Sequence, residues 1–406
     1  MTESSGETSG SPLGVWLIGA RGAIATSFSY GLAGLRKGII EPVGIATERG
    51  PFLDLGLRGF DDMVVAGHEI SGGDLSRSAA DLASHGVLPR DLVAACSAEA
   101  AALDARIRPG VMDVADMGNA ELDPDVMGLS GLSQTEQVAR VRGDIERFRA
   151  EHGLERVVVV YLASTEPFRA ERESWKDLSR FEKALHGDEQ HPASCIYAYA
   201  AFQAGAPFVN FTPSRGASIP ALRQMAREVG VPHCGNDGKT GETLVKTALA
   251  PMFAARALRV MAWQGYNMLG NKDGASLADP IRRESKMQTK DRPLHAILDD
   301  ENLHTSVGID FVPSLHDWKT AMDFVHFQGF LGAKMTLQFT WTGSDSALAT
   351  PLVIDLVRLA DFAASQGESG EMMHTASYFK SPLGCEEHNF HAQFQMLLAY
   401  AERHRS

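Results

Sequence analysis

The chain's first hydrophobic signal is the apolar run Val15-Trp16-Leu17-Ile18, which reads as a strand buried on both faces. It passes through Gly19-Ala20-Arg21-Gly22-Ala23-Ile24-Ala25 into a helical stretch reaching about Leu35. A second short strand is read at Met63–Gly67, ending in His68-Glu69. Residues 134–151 form an amphipathic helix with Val138, Val141, Ile145 and Phe148 on one face. The β-branched run from Arg156 to Leu162 reads as a central strand, Ile196–Ala204 as helix and Phe208–Asn210 as strand. Strands alternating with helices to about residue 235 predict an α/β fold with a doubly wound parallel sheet.

After Asp237 the pattern changes. Leu258–Trp263 reads as a strand, and Met335, Leu337, Phe339 and Trp341 alternate with Lys334, Thr336, Gln338 and Thr340. That period of two predicts a half-exposed antiparallel strand, so a mixed α+β region is placed at 238–343. A helix returns over Leu352–Ala364. The division expected is a disordered tail at 1–13, a first domain at 14–237 plus 344–406, and an inserted second domain at 238–343.

The 406 residues are 44% hydrophobic and 22% charged, with a formal charge of -13. These values describe a globular chain with a large core and argue against a nucleic-acid partner, which usually meets a basic face. Cys96, Cys195, Cys234 and Cys385 have no metal or redox spacing and read as reduced thiols, consistent with a cytoplasmic protein. His233 and Cys234 are adjacent but lack a ligand pattern, so no metal is assigned. No run of 18 apolar residues suggests a membrane span.

Charge type is uneven along the chain. Of 38 basic residues only 11 are Lys, and seven of these (Lys239, Lys246, Lys272, Lys286, Lys290, Lys319, Lys334) lie between 239 and 334. Lysine loses its proton when desolvated or placed beside another cation, whereas arginine does not. The cluster therefore fits proton transfer, an anion pocket or Schiff-base chemistry, and equally a solvated basic face. The string Asn236-Asp237-Gly238-Lys239-Thr240-Gly241-Glu242-Thr243 opens an apolar helical run and reads as a phosphate cradle or a plain helix cap. Tyr266-Asn267-Met268-Leu269-Gly270-Asn271-Lys272-Asp273-Gly274 reads as a polar loop. The glycine turn at 19–25 has the spacing GxxGxxA and fits either a pyrophosphate-binding turn or a simple βα turn.

With these strings the chain resembles the myo-inositol-phosphate synthase family. Matching in order are 236–247, 266–290, Asp317-Trp318-Lys319, Ala349–Leu356 and Tyr378–Leu383. More loosely matched are the glycine turn, Gly67–Ile70, Leu162–Glu166 and Phe208–Asn210. The resemblance implies an NAD-binding Rossmann-like domain with an inserted catalytic and oligomerisation domain, and a homotetramer. It places the four catalytic lysines on Lys286, Lys290, Lys319 and Lys380, with Asp237 and Asp355 beside them, Asp355 orienting one of the lysines. Substrate contacts fall on Thr240, Gly241, Thr243, Asn267, Asn271, Lys290 and Lys319. NAD contacts fall on Gly19, Ala20, Arg21, Gly22, Ala23, Ile24, Glu69, Ile70, Ala163, Ser164, Thr165, Asn210, Asp237, Asp273 and Asp317. Glu69 stands where the family usually has Asp, Glu242 where it commonly has Gln, Leu244 for a frequent Lys and Lys272 for a frequent Asn. Arg21 is inserted in the glycine turn, in reach of a pyrophosphate.

The chemistry this implies has three stages. NAD takes a hydride from C5 of a hexose 6-phosphate, the resulting ketone acidifies C6, and the C6 enolate attacks a carbonyl of the same chain. The bound NADH then reduces the ketone again. Lys286, its basicity lowered by Lys290, is the expected base; Lys286 and Lys380 face the enolate oxygen; Lys290, Lys319 and Thr240 hold the phosphate. Attack on C1 of glucose 6-phosphate gives inositol phosphate. Attack on C2 of fructose 6-phosphate gives a five-membered cyclitol phosphate of the kind used for carbocyclic nucleosides. A Schiff base is disfavoured because hydride removal already activates C6, and a non-catalytic NAD-binding protein is the remaining reading.

Overall fold

The computed structural model describes residues 12–112, 122–127, 129, 131–270, 293–300 and 302–405. The strands among them are, in chain order, β1 Leu13–Ile18, β2 Met63–Glu69, β3 Ile107–Pro109, β4 Arg156–Tyr161, β5 Phe208–Asn210, β6 Pro232–Cys234, β7 Arg259–Leu269, β8 His304–Phe311, β9 Trp318–Gln328, β10 Lys334–Ser344 and β11 Gly370–Glu371. They form a seven-stranded sheet in the order β11-β6-β5-β4-β1-β2-β3 and a four-stranded sheet in the order β10-β9-β7-β8.

All pairings in the larger sheet are parallel. Alternate residues of its central strands feed two separate cores. Leu13, Val15 and Leu17 of β1 join Val158 and Val160 of β4 on one side. Trp16 and Ile18 join Val157, Val159 and Tyr161 on the other. The first core is closed by the helices Ala23–Arg36, Asp345–Ser365 and Phe390–His404, the second by Gln134–Glu151, Ala193–Gln203 and Pro220–Val229. Apolar helices on both faces explain why these strands read as continuous hydrophobic runs. The strand order reverses between β1 and β4, which opens a crevice at their carboxyl ends.

In the smaller sheet β9 runs antiparallel to β10 and β7, and β7 runs parallel to β8. Its inner face carries Trp263, Gly265, Asn267 and Leu269 of β7 opposite Val325, Asp323, Ala321 and Lys319 of β9. The helix Glu242–Ala255 lies on that face, where Ala250 and Phe253 pack with Val260, Trp263 and Val325. The outer face leaves Tyr266, Met322 and Phe324 exposed.

Two sequence readings are corrected. Tyr266–Leu269 is not loop but the end of β7, because its backbone pairs with β8 on one side and β9 on the other. Its Asn content had suggested a turn, yet Asn267 is fully buried. The helix expected at Leu352 starts at Asp345 and includes Pro351. Its start is set by Ser344, whose hydroxyl accepts from the Ala347 amide at 3.2 Å, a side-chain N-cap.

Candidate active site

The nucleotide-side geometry begins at β1. Gly19 has φ +84°, and a Cβ there would lie 3.0 Å from the Cα and N of Ala163. Only glycine therefore allows the turn to pass this close to the segment that follows β4. The helix Ala23–Arg36 starts with no side-chain cap and no acidic residue in its first turn, which leaves its first amides to an anion. At the end of β2, Glu69 is buried. Its Oε2 accepts from the Arg21 amide at 2.8 Å, and its Oε1 accepts from the Ile70 and Ser71 amides at 2.8 and 3.0 Å. The Arg21 guanidinium is turned onto Asp104 at 2.9 Å; the structure gives it a local carboxylate rather than the crevice.

Asn210, at the end of β5, is spent locally. Its Nδ2 donates to the Ser214 carbonyl at 2.6 Å and to Asn236 Oδ1 at 3.1 Å, while its Oδ1 accepts from the amide and hydroxyl of Thr212. The turn it holds supports the segment 235–239. That segment is zipped between two others: the Asp237 and Gly238 amides donate to the carbonyls of Thr212 and Phe211. On the other side the Lys380 amide donates to the Asp237 carbonyl and the Lys239 amide to the Tyr378 carbonyl. This pairing sets Lys380 beside Asp237, and Lys380 Nζ donates to Asp237 Oδ1 at 2.8 Å.

Three residues further on, the Thr240 hydroxyl donates to Asp345 Oδ1 at 3.1 Å, and Lys319 Nζ lies 3.7 Å from the same oxygen. Thus Lys380, from the segment after Tyr378, bonds Asp237, and Lys319, from β9, meets Thr240 at one shared Asp345 oxygen. Gly241 caps the helix Glu242–Ala255 without a side-chain bond. A Cβ on Gly241 would be 3.1 Å from Trp341 Nε1, so the start of the helix is pressed on the inner face of the smaller sheet. Thr243 is buried there. Asn267 is fully buried on the same face, and neither atom of its amide has a hydrogen-bond partner among the described residues. Buried side-chain amides are ordinarily hydrogen-bonded, so this one is a candidate contact for a polar ligand.

Lys239 is buried beside these groups. Its Nζ donates to Gln393 Oε1 at 2.6 Å and lies 5.8 Å from the Phe390 ring centroid. Burial, with the nearby Lys380 charge adding to it, lowers its pKa from 10.5 to about 7.

Two resemblance-based roles change. Asp355 is fully buried, as its apolar helix suggested, but it orients no lysine among the described residues. Its carboxylate accepts from the Ala46 and Thr47 amides at 2.9 Å each, from the Thr47 hydroxyl at 2.6 Å and from Tyr378 Oη at 3.0 Å. Of these partners, Tyr378 stands two residues before Lys380 in the chain. Asp317 accepts from the hydroxyls of Ser344 and Ser346 at 2.5 and 2.6 Å; it ties the start of the helix Asp345–Ser365 to β9, and burial pushes its pKa up. Ala163, Ser164 and Thr165 follow β4 at the crevice. Lys286, Lys290, Asn271, Lys272 and Asp273 lie outside the described residues. Lys239, Asp345 and Tyr378 had no role assigned from sequence; Lys239 lay in the lysine cluster and the 236–243 string and Tyr378 opened the matched 378–383 string, while Asp345 had only its place between Ser344 and Ser346 as a signal.

A parallel sheet in Rossmann order, with a glycine turn and a buried carboxylate at its switch point, defines an α/β protein of the dinucleotide-binding class. The sequence profile of the family described as myo-inositol-1-phosphate synthase matches residues 51–401. The chain is 31% identical over 405 residues to inositol-3-phosphate synthase 1 of Bacteroides thetaiotaomicron, covering 93% of this chain and 90% of that protein. It is similar in structure to a myo-inositol-1-phosphate synthase-related protein of Thermotoga maritima, with a TM-score of 0.78, 26% identity and coverage of 96% and 98%. The inositol-3-phosphate synthase of Caenorhabditis elegans shares the fold, with a TM-score of 0.84 at 22% identity over 97% of this chain and 86% of that one. The chain belongs to the myo-inositol-1-phosphate synthase family. Among the described residues no helix is long and apolar enough to cross a membrane, and no group of three or more His, Cys, Asp or Glu side chains could hold a metal ion.

Proposed function

We propose that this chain is an isomerase that closes a hexose 6-phosphate into a cyclitol phosphate with NAD as a recycled oxidant, glucose 6-phosphate to inositol phosphate being the reading its relatives favour. The observation that carries it is that Lys380 bonds Asp237 while Lys319 and Thr240 share the Asp345 carboxylate oxygen, next to a helix start without a side-chain cap. The crevice fits NAD: the glycine turn passes close to Ala163, the first helix offers free amides to a pyrophosphate, and Glu69 is held in place for ribose hydroxyls. Gly19, Ala20, Gly22, Ala23, Ile24, Ile70 and Ala163–Thr165 would line it. When bound, NAD would supply the acceptor for the C5 hydride and its return.

The chain's own groups do the rest. Thr240, Gly241, Thr243 and Lys319 hold the phosphate, which takes the place of the Asp345 oxygen on Thr240 and Lys319. Lys380, oriented by Asp237, stabilises the oxyanion and returns a proton to it. Asn267 offers its unused amide to a substrate hydroxyl. Lys286 and Lys290 complete the lysine set, and Asn271 on the substrate side and Asp273 on the cofactor side remain assignments by resemblance. A homotetramer formed through the exposed outer face of the smaller sheet, with Tyr266, Met322 and Phe324 at its centre, completes the reading.

The test is incubation of the purified protein with NAD and either glucose 6-phosphate or fructose 6-phosphate, followed by ring-size analysis of the product. A six-membered cyclitol phosphate from glucose 6-phosphate is expected. A five-membered product from fructose 6-phosphate alone would transfer the same chemistry to the other substrate, and no turnover of either would leave a nucleotide-binding protein.

A further inference from the structure

Arg21 stands in the glycine turn with its backbone fixed on both sides and its charge committed elsewhere. Its amide donates to Glu69 Oε2 at 2.8 Å, and its carbonyl accepts from the hydroxyls of Thr26 and Ser78 at 3.3 and 3.0 Å. The Arg21 main chain is therefore tied to the carboxylate that ends β2. Its guanidinium meets Asp104 as a fork: Nε donates to Oδ1 at 2.9 Å and Nη2 to Oδ2 at 3.3 Å. The two side chains are only 17% and 21% exposed. Asp104 Oδ1 also accepts at 3.1 Å from the amide of Leu75, the first residue of the helix Leu75–Ser84. One carboxylate thus pins the guanidinium against the start of the helix that follows β2.

Asp104 is the last residue of the helix Ser97–Asp104, an end where the helix dipole disfavours negative charge. The partners that offset this cost, Arg21 and Leu75, lie on the segments that leave β1 and β2. Glu69 is held by the amides of Arg21, Ile70 and Ser71, so its charge is positioned by backbone donors. A carboxylate at the end of β2 suits the hydroxyls of an unmodified adenosine ribose and repels a 2′-phosphate, whereas a nearby arginine accommodates that phosphate. This chain places both residue types within one hydrogen bond of each other, and the direction of the arginine decides between the two nucleotides. We propose that Asp104 sets the choice of NAD over NADP, as a positioning residue that keeps the Arg21 guanidinium engaged so that it is not offered to a 2′-phosphate. Released from Asp104, the guanidinium presents a planar fork of donors that matches phosphate oxygens. Turning about its own side-chain bonds is all the change required, because the Arg21 amide and carbonyl keep their partners.

The inference rests on the crevice being a nicotinamide-dinucleotide site, and the experiment separates the two. Fluorescence titration of the full chain with NAD and with NADP, at constant ionic strength, gives both dissociation constants. Wild-type protein binds NAD more tightly than NADP. Asp104→Asn keeps an acceptor for the Leu75 amide but loses the charge. It tightens NADP binding by at least about tenfold, the low end for one new charge-assisted hydrogen bond, and leaves NAD affinity within about threefold. Asp104→Ala also releases Arg21 and gives the same gain if asparagine disturbs the local fold. The double variant Asp104→Asn, Arg21→Met has no guanidinium to release, and its NADP affinity returns to within about threefold of wild type. NADP affinity unmoved in both single variants, a gain that survives in the double variant, or loss of NAD binding in both single variants, as a purely structural pair would give, overturns the inference and leaves the nucleotide site standing. Equal wild-type affinity for the two nucleotides does the same. No saturable binding of either nucleotide by wild-type protein overturns the nucleotide site and the inference with it.

Discussion

Lys239 offers a quantity that can be worked from the structure without reference to turnover. It is 3% exposed, has Gln393 Oε1 as its near acceptor, and its pKa falls from 10.5 to about 7. A base with a lowered folded pKa is neutral in the folded chain and protonated in the unfolded chain between the two values. The unfolded state then binds more protons, so stability rises with pH across that window, by about 1.4 kcal/mol per unit. Below pH 7 the full cost of burying the ammonium is present; by pH 9 most of it is gone. Between pH 7 and pH 9 Lys239 alone should add about 2–3 kcal/mol of stability. Lys239→Met removes that dependence and leaves only the unpaired Gln393 oxygen, a penalty of about 1–3 kcal/mol that does not vary with pH. Urea unfolding of both proteins at pH 7, 8 and 9 isolates the difference, because every other titration is shared. The wild-type curve should climb relative to the variant by the stated amount. Parallel curves would mean that Lys239 stays protonated when folded, and the account of a partly neutral lysine beside Lys380 would fail.

Other substitutions read other parts of the site. Lys380→Met should lower turnover by about 10²–10⁴-fold, the range for losing one positioned acid–base group, with NAD affinity by fluorescence titration unchanged; comparable turnover would remove Lys380 from the chemistry. Asp355→Ala strands two amides and two hydroxyls in the core and should cost about 3 kcal/mol or more in chemical denaturation. A loss below about 1 kcal/mol would contradict the four bonds assigned to it. Gly19→Ala meets both the left-handed backbone and the Ala163 main chain, so stability should fall by about 1–3 kcal/mol, and the rise in melting temperature on adding NAD should vanish. A full NAD-induced rise would place the cofactor elsewhere.

The fold was legible where one element carries its own signal. The run Arg156-Val157-Val158-Val159-Val160-Tyr161 is β-branched because helices cover both its faces, and it is β4. The capping box at Ser133 and Glu136 fixes the start of the helix Gln134–Glu151 where periodicity placed it. Tyr266–Leu269 was misread because Asn and Gly composition signals a turn only when the backbone lacks neighbours, and here strands flank it on both sides. The burial of Asp355 was visible in its apolar helix. Its partners were not, since Ala46 and Thr47 stand some 300 positions away and offer mainly backbone amides, which no side-chain pattern reveals. Glu242 and Lys246 show their pairing by four-residue spacing, whereas Asp323 joins them only through the sheet register. The lysine bias included three residues that the structure buries, Lys239, Lys246 and Lys319, although it did not distinguish the charge pair of Lys246 with Glu242 from the Lys319 ammonium near Asp345.

The central claim is that a hydride leaves C5 of the sugar phosphate and returns to it within one catalytic cycle. Glucose 6-phosphate deuterated at C5, incubated with the protein and a substoichiometric amount of NAD, tests this directly by mass spectrometry of the product together with absorbance of the reduced cofactor. The account predicts a cyclitol phosphate that keeps its deuterium, many turnovers per NAD and no accumulating NADH. Product without deuterium, or NADH rising in step with product, would contradict it.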